Sequence, residues 1–221
     1  ELLDTAGIRR SGKIEVGIEK FSVLRSLQAI EQADICLLLV DVNELRVQLD
    51  QKLAGIIKQA GKGLIIVVSK WDSYEKDAFS RDQLAAQLSQ EFSFVPWAPL
   101  IFTSAVTGQN VTKLFELAQQ IDARRKQQLQ TAALNRVLAS CIRQHPPAGL
   151  KNRHPKLRYL VQSDIAPPWF ILFGSDLTYL HWSYKRYLER ELRRAYDFAG
   201  TAIMISYRDE KAIKKRKVRD A

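Results

Sequence analysis

Asp4-Thr5-Ala6-Gly7, Ser69-Lys70-Trp71-Asp72 and Thr103-Ser104-Ala105 each follow an apolar run, and each holds groups that can read part of a nucleotide. In the first word, a carboxylate at a strand end can hold the water shell of a Mg²⁺ ion. Gly7 leaves its N–H open to a terminal phosphate because no side chain blocks the approach. Asp4, Thr5, Ala6 and Gly7 are therefore the candidate GTP and Mg²⁺ residues, with Asp4 reaching the metal through water. The second word has a sharper logic. Guanine presents an N1–H and an N2 amino group side by side, so one carboxylate can accept both protons; adenine offers an acceptor at N1 instead. Asp72 would supply that carboxylate, and Lys70 would lay its methylene stem along the base. Ser104 lies 32 positions beyond Asp72, and the N–H of Ala105 beside it would reach guanine O6. The candidate guanine set is thus Ser69, Lys70, Asp72, Ser104 and Ala105. Any one word also fits an ordinary strand-end turn; the order of all three carries the inference.

A phosphate-cradling G-x-x-x-x-G-K-[ST] segment does not occur in the 221 residues. Gly61-Lys62 has Ile56 where the leading glycine belongs and Gly63 where the hydroxyl belongs. Gly12-Lys13 has Gly7 at the right distance, but Ile14 replaces the metal-binding hydroxyl and the pair follows the first word. The expectation is a nucleotide domain whose phosphate loop lies ahead of Glu1. Triphosphate affinity rests largely on that cradle, its Lys and Mg²⁺, so the chain alone is expected to hydrolyse no GTP. Ile8 follows Gly7, and an apolar side chain cannot orient a water, so no catalytic residue is assigned.

The net charge of +10 is unevenly placed: residues 1–120 carry 13 Lys and Arg against 15 Asp and Glu, residues 121–221 carry 21 against 9. A polyanion-binding module joined to a nearly neutral one explains that asymmetry. No apolar run is long enough to span a bilayer and no signal segment opens the chain, so no membrane role is expected. Cys36 and Cys141 read as lone core thiols suited to a reducing cytosol, and His145, His154 and His181 have no ligand-like spacing.

These residues need elements to position them. Ile35–Val40 and Leu64–Val68 are continuous apolar runs suited to strands buried on both faces, and Leu100–Phe102 is a third, short strand. Helical spacing appears over Ile18–Ile30, Leu49–Ile57, Arg81–Phe92 and Val111–Lys126. That alternation predicts an α/β domain over residues 1–126. From Thr131, expected as an N-cap, the order becomes helix, strand (Leu157–Gln162), strand (Trp169–Phe173), helix (Trp182–Phe198, ended by Gly200) and strand (Ile203–Tyr207). This αββαβ order predicts an α+β domain over 127–208, with the charged residues 209–221 as a disordered tail.

Asp4-Thr5-Ala6-Gly7-Ile8-Arg9-Arg10, Glu19-Lys20-Phe21-Ser22-Val23-Leu24-Arg25-Ser26-Leu27 and Ala29-Ile30 resemble the second G domain of the tandem EngA/Der GTPases. Leu134-Asn135-Arg136-Val137-Leu138, His145-Pro146-Pro147, Ala166-Pro167-Pro168, Phe170 and Ser183-Tyr184-Lys185-Arg186-Tyr187-Leu188 resemble that family's KH-like domain. The resemblance covers about residues 1–208. It implies an incomplete P-loop (Ras-like) GTPase domain followed by a KH-like domain, in a cytoplasmic bacterial GTPase with GTP and Mg²⁺ that acts in assembly of the large ribosomal subunit. A further G domain, ahead of these in cis, is the implied intramolecular partner. Two departures stand out: Ser69 replaces the Asn of the family's Asn-Lys-x-Asp, and the phosphate loop is missing. A catalytically inactive RNA- or ribosome-binding scaffold is the alternative function.

In the implied Ras-like topology a strand lies between the one ending at Asp4 and Ile35–Val40. Its absence should leave one edge of Ile35–Val40 unpaired. In the second domain no Gly-x-x-Gly follows residue 121, so contact with ribosomal RNA is expected to be electrostatic and shape-based. The expected donors are Lys185, Arg186, Arg190, Arg193 and Arg194 on a helix, with Lys214, Lys215, Arg216, Lys217 and Arg219 on the tail.

Overall fold

The computed structural model describes residues 1–3, 27–45, 47–74 and 80–209. Asp4, Thr5, Ala6 and Gly7, most of the first expected helix, and Lys214, Lys215, Arg216, Lys217 and Arg219 lie outside the described residues. The chain separates into two compact units, Glu1–Asp122 and Ala123–Ala221.

In the first unit, the end of the first expected helix is helical over 27–32. There follow β1 (Ile35–Asp41), α1 (Val47–Gln59), β2 (Gly63–Ser69), a 3₁₀ turn (Trp71–Ser73), α2 (Ser80–Glu91), β3 (Leu100–Phe102) and α3 (Val111–Arg125). The three strands form a parallel sheet in the order β1-β2-β3, in a register that sets Asp41 beside Ser69 and Val68 beside Phe102. Gly63 through Val68 are all buried, which explains the unbroken apolar run: a central strand covered on both faces has no polar side. Ile65 and Val67 pack on Ile121 of α3, with Ile35, Leu37, Ile101, Leu114 and Leu117 around them. Gly61, at φ 69°, lets the chain leave α1: its N–H reaches Lys58 O and the Lys62 N–H reaches Ile57 O, each at 3.1 Å.

Among the described residues, β1 is an edge strand with no partner on its outer side, and Leu39 is 62% exposed. An unpaired apolar edge invites pairing with another copy. Residues 1–126 made alone should therefore self-associate in sedimentation velocity at micromolar concentration; a cooperative melt from a monomer would contradict this.

The second unit contains α4 (Thr131–Gln144), β4 (Lys156–Ile165), β5 (Pro168–Ser175), a 3₁₀ turn (Leu177–Tyr179), α5 (Trp182–Ala195) and β6 (Met204–Asp209). β4 and β5 are an antiparallel hairpin, and β6 returns parallel to β5 after the α5 crossover, giving the order β4-β5-β6. Leu134, Leu138 and Cys141 of α4 meet Tyr184, Leu188 and Leu192 of α5 over Leu160, Phe170, Leu172 and Ile205 of the sheet. The i, i+4 spacing of both helices is the sequence cause of that core.

Three local expectations need correction. Thr131 is the first helical residue of α4, and Gln130 occupies the capping position without a side-chain bond. α5 stops at Ala195, where Tyr196 turns extended; Gly200 (φ 77°) serves the later turn into β6. The helical spacing also places Tyr187, Ala195 and Tyr196 on the buried face with Tyr184, Leu188 and Leu192; Ala195 is exposed, and Tyr187 and Tyr196 are half-buried.

Asn135, part of a motif noted only for its likeness, has a visible structural task. Its Nδ2 donates to Leu160 O at 3.0 Å and its Oδ1 accepts the Leu160 N–H at 2.9 Å, which satisfies the outer edge of β4 at a fully buried residue. Asn135→Ala leaves both backbone groups without that partner and should lower unfolding free energy by about 2 kcal/mol or more, read as a lower urea midpoint.

Candidate functional site

Parallel strands deliver their carboxyl ends to one edge of the sheet, where open α/β folds place ligands. Asp41 ends β1, Ser69 ends β2, and Thr103 follows β3. Backbone bonds tie the three ends together. Val42 N–H donates to Ser69 O (3.3 Å), Thr103 N–H to Val68 O (2.8 Å) and Trp71 N–H to Thr103 O (3.0 Å). The second and third words are thus joined at one edge of the sheet.

Within it, Lys70 takes a left-handed conformation at φ 58°, uncommon for a residue with a side chain and costing on the order of 1 kcal/mol or more. The turn is held: Ser73 N–H and Oγ both donate to Lys70 O, at 3.0 and 2.8 Å. Asn43 Nδ2 donates to Ser73 Oγ at 2.6 Å, and the Asn43 N–H donates to Asp41 Oδ1 at 3.0 Å. Beneath the turn, the buried Trp71 stacks on Tyr74 and meets Phe102 edge-on. The Lys70 ammonium sits 2.6 Å from Asp41 Oδ2. Asp72 is exposed, and no described residue holds its carboxylate.

On the third word, Ser104 is fully buried; its N–H donates to Gln109 O (3.2 Å) and its Oγ accepts the Thr107 N–H (3.1 Å). Asn110 Nδ2 donates to Phe102 O at 2.8 Å and closes the loop, with Gly108 and Asn110 both at positive φ. Ala105 is exposed, and its N–H has no acceptor among the described residues. Chemically, an open carboxylate that accepts, a lysine stem that packs along the base and a backbone N–H that donates are what a guanine edge requires. These residues fit the base of the implied nucleotide. The set for phosphate and Mg²⁺, Asp4 to Gly7, lies outside the described residues.

Ser69 Oγ donates to Val40 O at 3.2 Å, so the hydroxyl is spent within the sheet and does not cross to the third word. Sequence reasoning missed Asp41, Asn43, Ser73 and Asn110. Asp41 closes an apolar run, a signal that was present; the other three are short polar residues in turns, which sequence alone does not separate from solvent-facing ones.

On α5, Lys185, Arg186, Arg190 and Arg194 are exposed. Arg193 departs from the expectation. Its Nε and Nη2 bond Glu189 at 3.1 and 2.9 Å, and its Nη1 and Nη2 bond Phe198 O and Thr201 O at 2.9 and 3.1 Å. Burial draws its pKa down while Glu189 opposes the shift. The guanidinium ties the α5–β6 loop, and it is withdrawn from the RNA set.

Residues 128–208 match the family model described as the KH-domain-like C-terminal domain of EngA bacterial GTPase enzymes, and residues 16–123 match the GTP-binding domain of elongation factor Tu. Among curated proteins the chain is 45% identical over 216 residues to GTPase Der of Chloroflexus aggregans, covering 97% of this chain and 48% of that protein. It is 43% identical over 208 residues to GTPase Der of Herpetosiphon aurantiacus, covering 94% and 46%. It is 41% identical over 210 residues to that of Thermomicrobium roseum, also covering 94% and 46%. The chain spans about half the length of these relatives. Among solved structures, Era in complex with MgGDPNP and a segment of 16S ribosomal RNA matches 98% of this chain and 79% of that one, with a TM-score of 0.45 and 16% identity, too low to argue from. The alignments to the curated relatives span both matched segments, and the chain belongs to the EngA/Der family of GTPases.

Proposed function

We propose that this chain is the later part of the second GTP-binding domain, with the KH-like domain, of a cytoplasmic protein that hydrolyses GTP during assembly of the large ribosomal subunit. The observation that supports the guanine half best is the pairing of Lys70, engaged by Asp41, with an exposed Asp72 whose carboxylate no described residue engages. Ser69, Lys70, Asp72, Ser104 and Ala105 hold the base in this proposal. Asp4, Thr5, Ala6 and Gly7 would hold the terminal phosphate and Mg²⁺ in this proposal, the ion supplying charge neutralisation on the phosphates. Lys185, Arg186, Arg190 and Arg194, with the basic residues of 211–221, meet ribosomal RNA, and a preceding G domain joins in cis.

The 221-residue chain should release no phosphate from GTP above the buffer blank. The protein read from the source DNA, extended upstream to include a G-x-x-x-x-G-K-[ST] segment, should show saturable turnover. Phosphate-release assays on both chains test this. Saturable turnover by the 221 residues, or none by the extended protein, would contradict it. The scaffold alternative draws on Ser69, whose hydroxyl is used inside the sheet; a start codon immediately upstream of Glu1 would favour it.

A further inference from the structure

We infer that Trp182, with the arginine row that follows it on α5, is a stacking platform for an unpaired RNA nucleotide. This deepens the proposed RNA contact and rests on it.

Trp182 is 61% exposed, against 5%, 7% and 39% for Trp71, Trp97 and Trp169. The core-facing stripe of α5 is already filled by Tyr184, Leu188 and Leu192, so this ring takes no part in that core. Yet it is not loose. The His181 ring lies 5.2 Å away at 35°, and the Arg186 guanidinium stands 4.5 Å from the indole centroid. His181 is itself fixed at the helix start, its Nδ1 2.6 Å from Ser183 Oγ and accepting the Ser183 N–H. An aromatic held in one orientation, with most of its surface still open, has little ordering left to lose when a flat partner arrives.

Arg186, Arg190 and Arg194 follow Trp182 at i+4 steps, about 6 Å apart along the helix axis. Glu191 engages Arg194 at 2.9 Å and Arg190 at 3.5 Å, while Arg193 engages Glu189. Arg186 and Lys185 have no carboxylate partner among the described residues. The uncompensated positive charge therefore gathers next to the ring. A nucleotide satisfies both features, its base stacking on the indole and its phosphate meeting Arg186 and Lys185. An acidic peptide would answer the cations and leave the indole face without a planar partner. Duplex RNA keeps its bases stacked internally, so the ligand is an unpaired segment.

Fluorescence anisotropy on the full chain tests this, using a labelled 12-nucleotide oligouridine and a labelled RNA hairpin that is nearly all duplex. Trp182→Ala should weaken oligouridine binding by roughly 5- to 150-fold, the span measured for losing one base–aromatic stack. Its salt slope should not change, and hairpin binding should be nearly unaffected. Trp182→Phe should recover most of the loss, and circular dichroism should show both variants folded. Oligouridine binding unaltered in Trp182→Ala would overturn the stacking site while leaving the RNA contact standing. No binding of either RNA by the unaltered chain would overturn both. If Trp182→Ala abolishes self-association in light scattering and leaves RNA binding untouched, the ring is a protein contact and the inference fails.

Discussion

Asp72→Asn, in the protein extended to include its phosphate loop, should lower the preference for GDP over ADP by about 100-fold or more. The carboxylate accepts from guanine N1–H and the N2 amino group together; an amide turns one acceptor into a donor that faces a donor. Hydrogen bonds to a charged group contribute about 1.5–3 kcal/mol each, so losing this pair outweighs any other single change in the base site. The exposed and unengaged state of Asp72 means that the substitution disturbs no internal contact among the described residues. Competition of GDP and ADP against a fluorescent nucleotide reads the ratio. A ratio unchanged by the substitution would remove Asp72 from base recognition.

RNA binding by residues 127–221 should fall steeply with salt. With about six cations neutralising phosphates, log K against log[salt] should slope at roughly −4 to −5. Between 50 and 200 mM salt that is a loss of roughly 250- to 1,000-fold. Arg193 contributes nothing to that count, being bound to Glu189 and two carbonyls, and Arg193→Gln should act on stability of the α5–β6 loop instead. Deleting Lys211–Ala221 should halve the slope if helix and tail share the phosphates, and abolish binding if the tail acts alone. Binding flat in salt, or closely dependent on base sequence beyond single-strandedness, would contradict an electrostatic contact.

Much of the fold was legible because burial writes itself into residue order. β2 sits between two strands and under helices on both faces, and its six-residue run from Gly63 to Val68 is apolar throughout. α4 and α5 face the same sheet, and their apolar residues recur at helical spacing. Ends were harder. Thr131 has the residue type of a cap, but capping depends on backbone conformation one residue earlier. Gly200 looks like a helix stop, but the Tyr196 N–H is already satisfied by Leu192 O and the chain has left the helix by then. The strand-end position of the second and third words was legible because each closes an apolar run that forms a strand. Asp41 was not, since its partnership with Lys70 joins positions 29 residues apart in sequence through adjacent strands. Arg193 was misplaced for a related reason: helical geometry puts it on the outer face, while its length lets it fold back to the carbonyls of Phe198 and Thr201.

Chemical-shift mapping on the isotope-labelled 221-residue chain, titrated with millimolar GMP and then AMP, would decide whether the strand ends read guanine. The amides of Lys70, Trp71, Asp72 and Ala105 should move progressively with GMP and stay still with AMP, with no comparable change in Ala123–Ala221. Equal movements with both nucleotides, or movements confined to the second unit, would contradict a guanine-reading site.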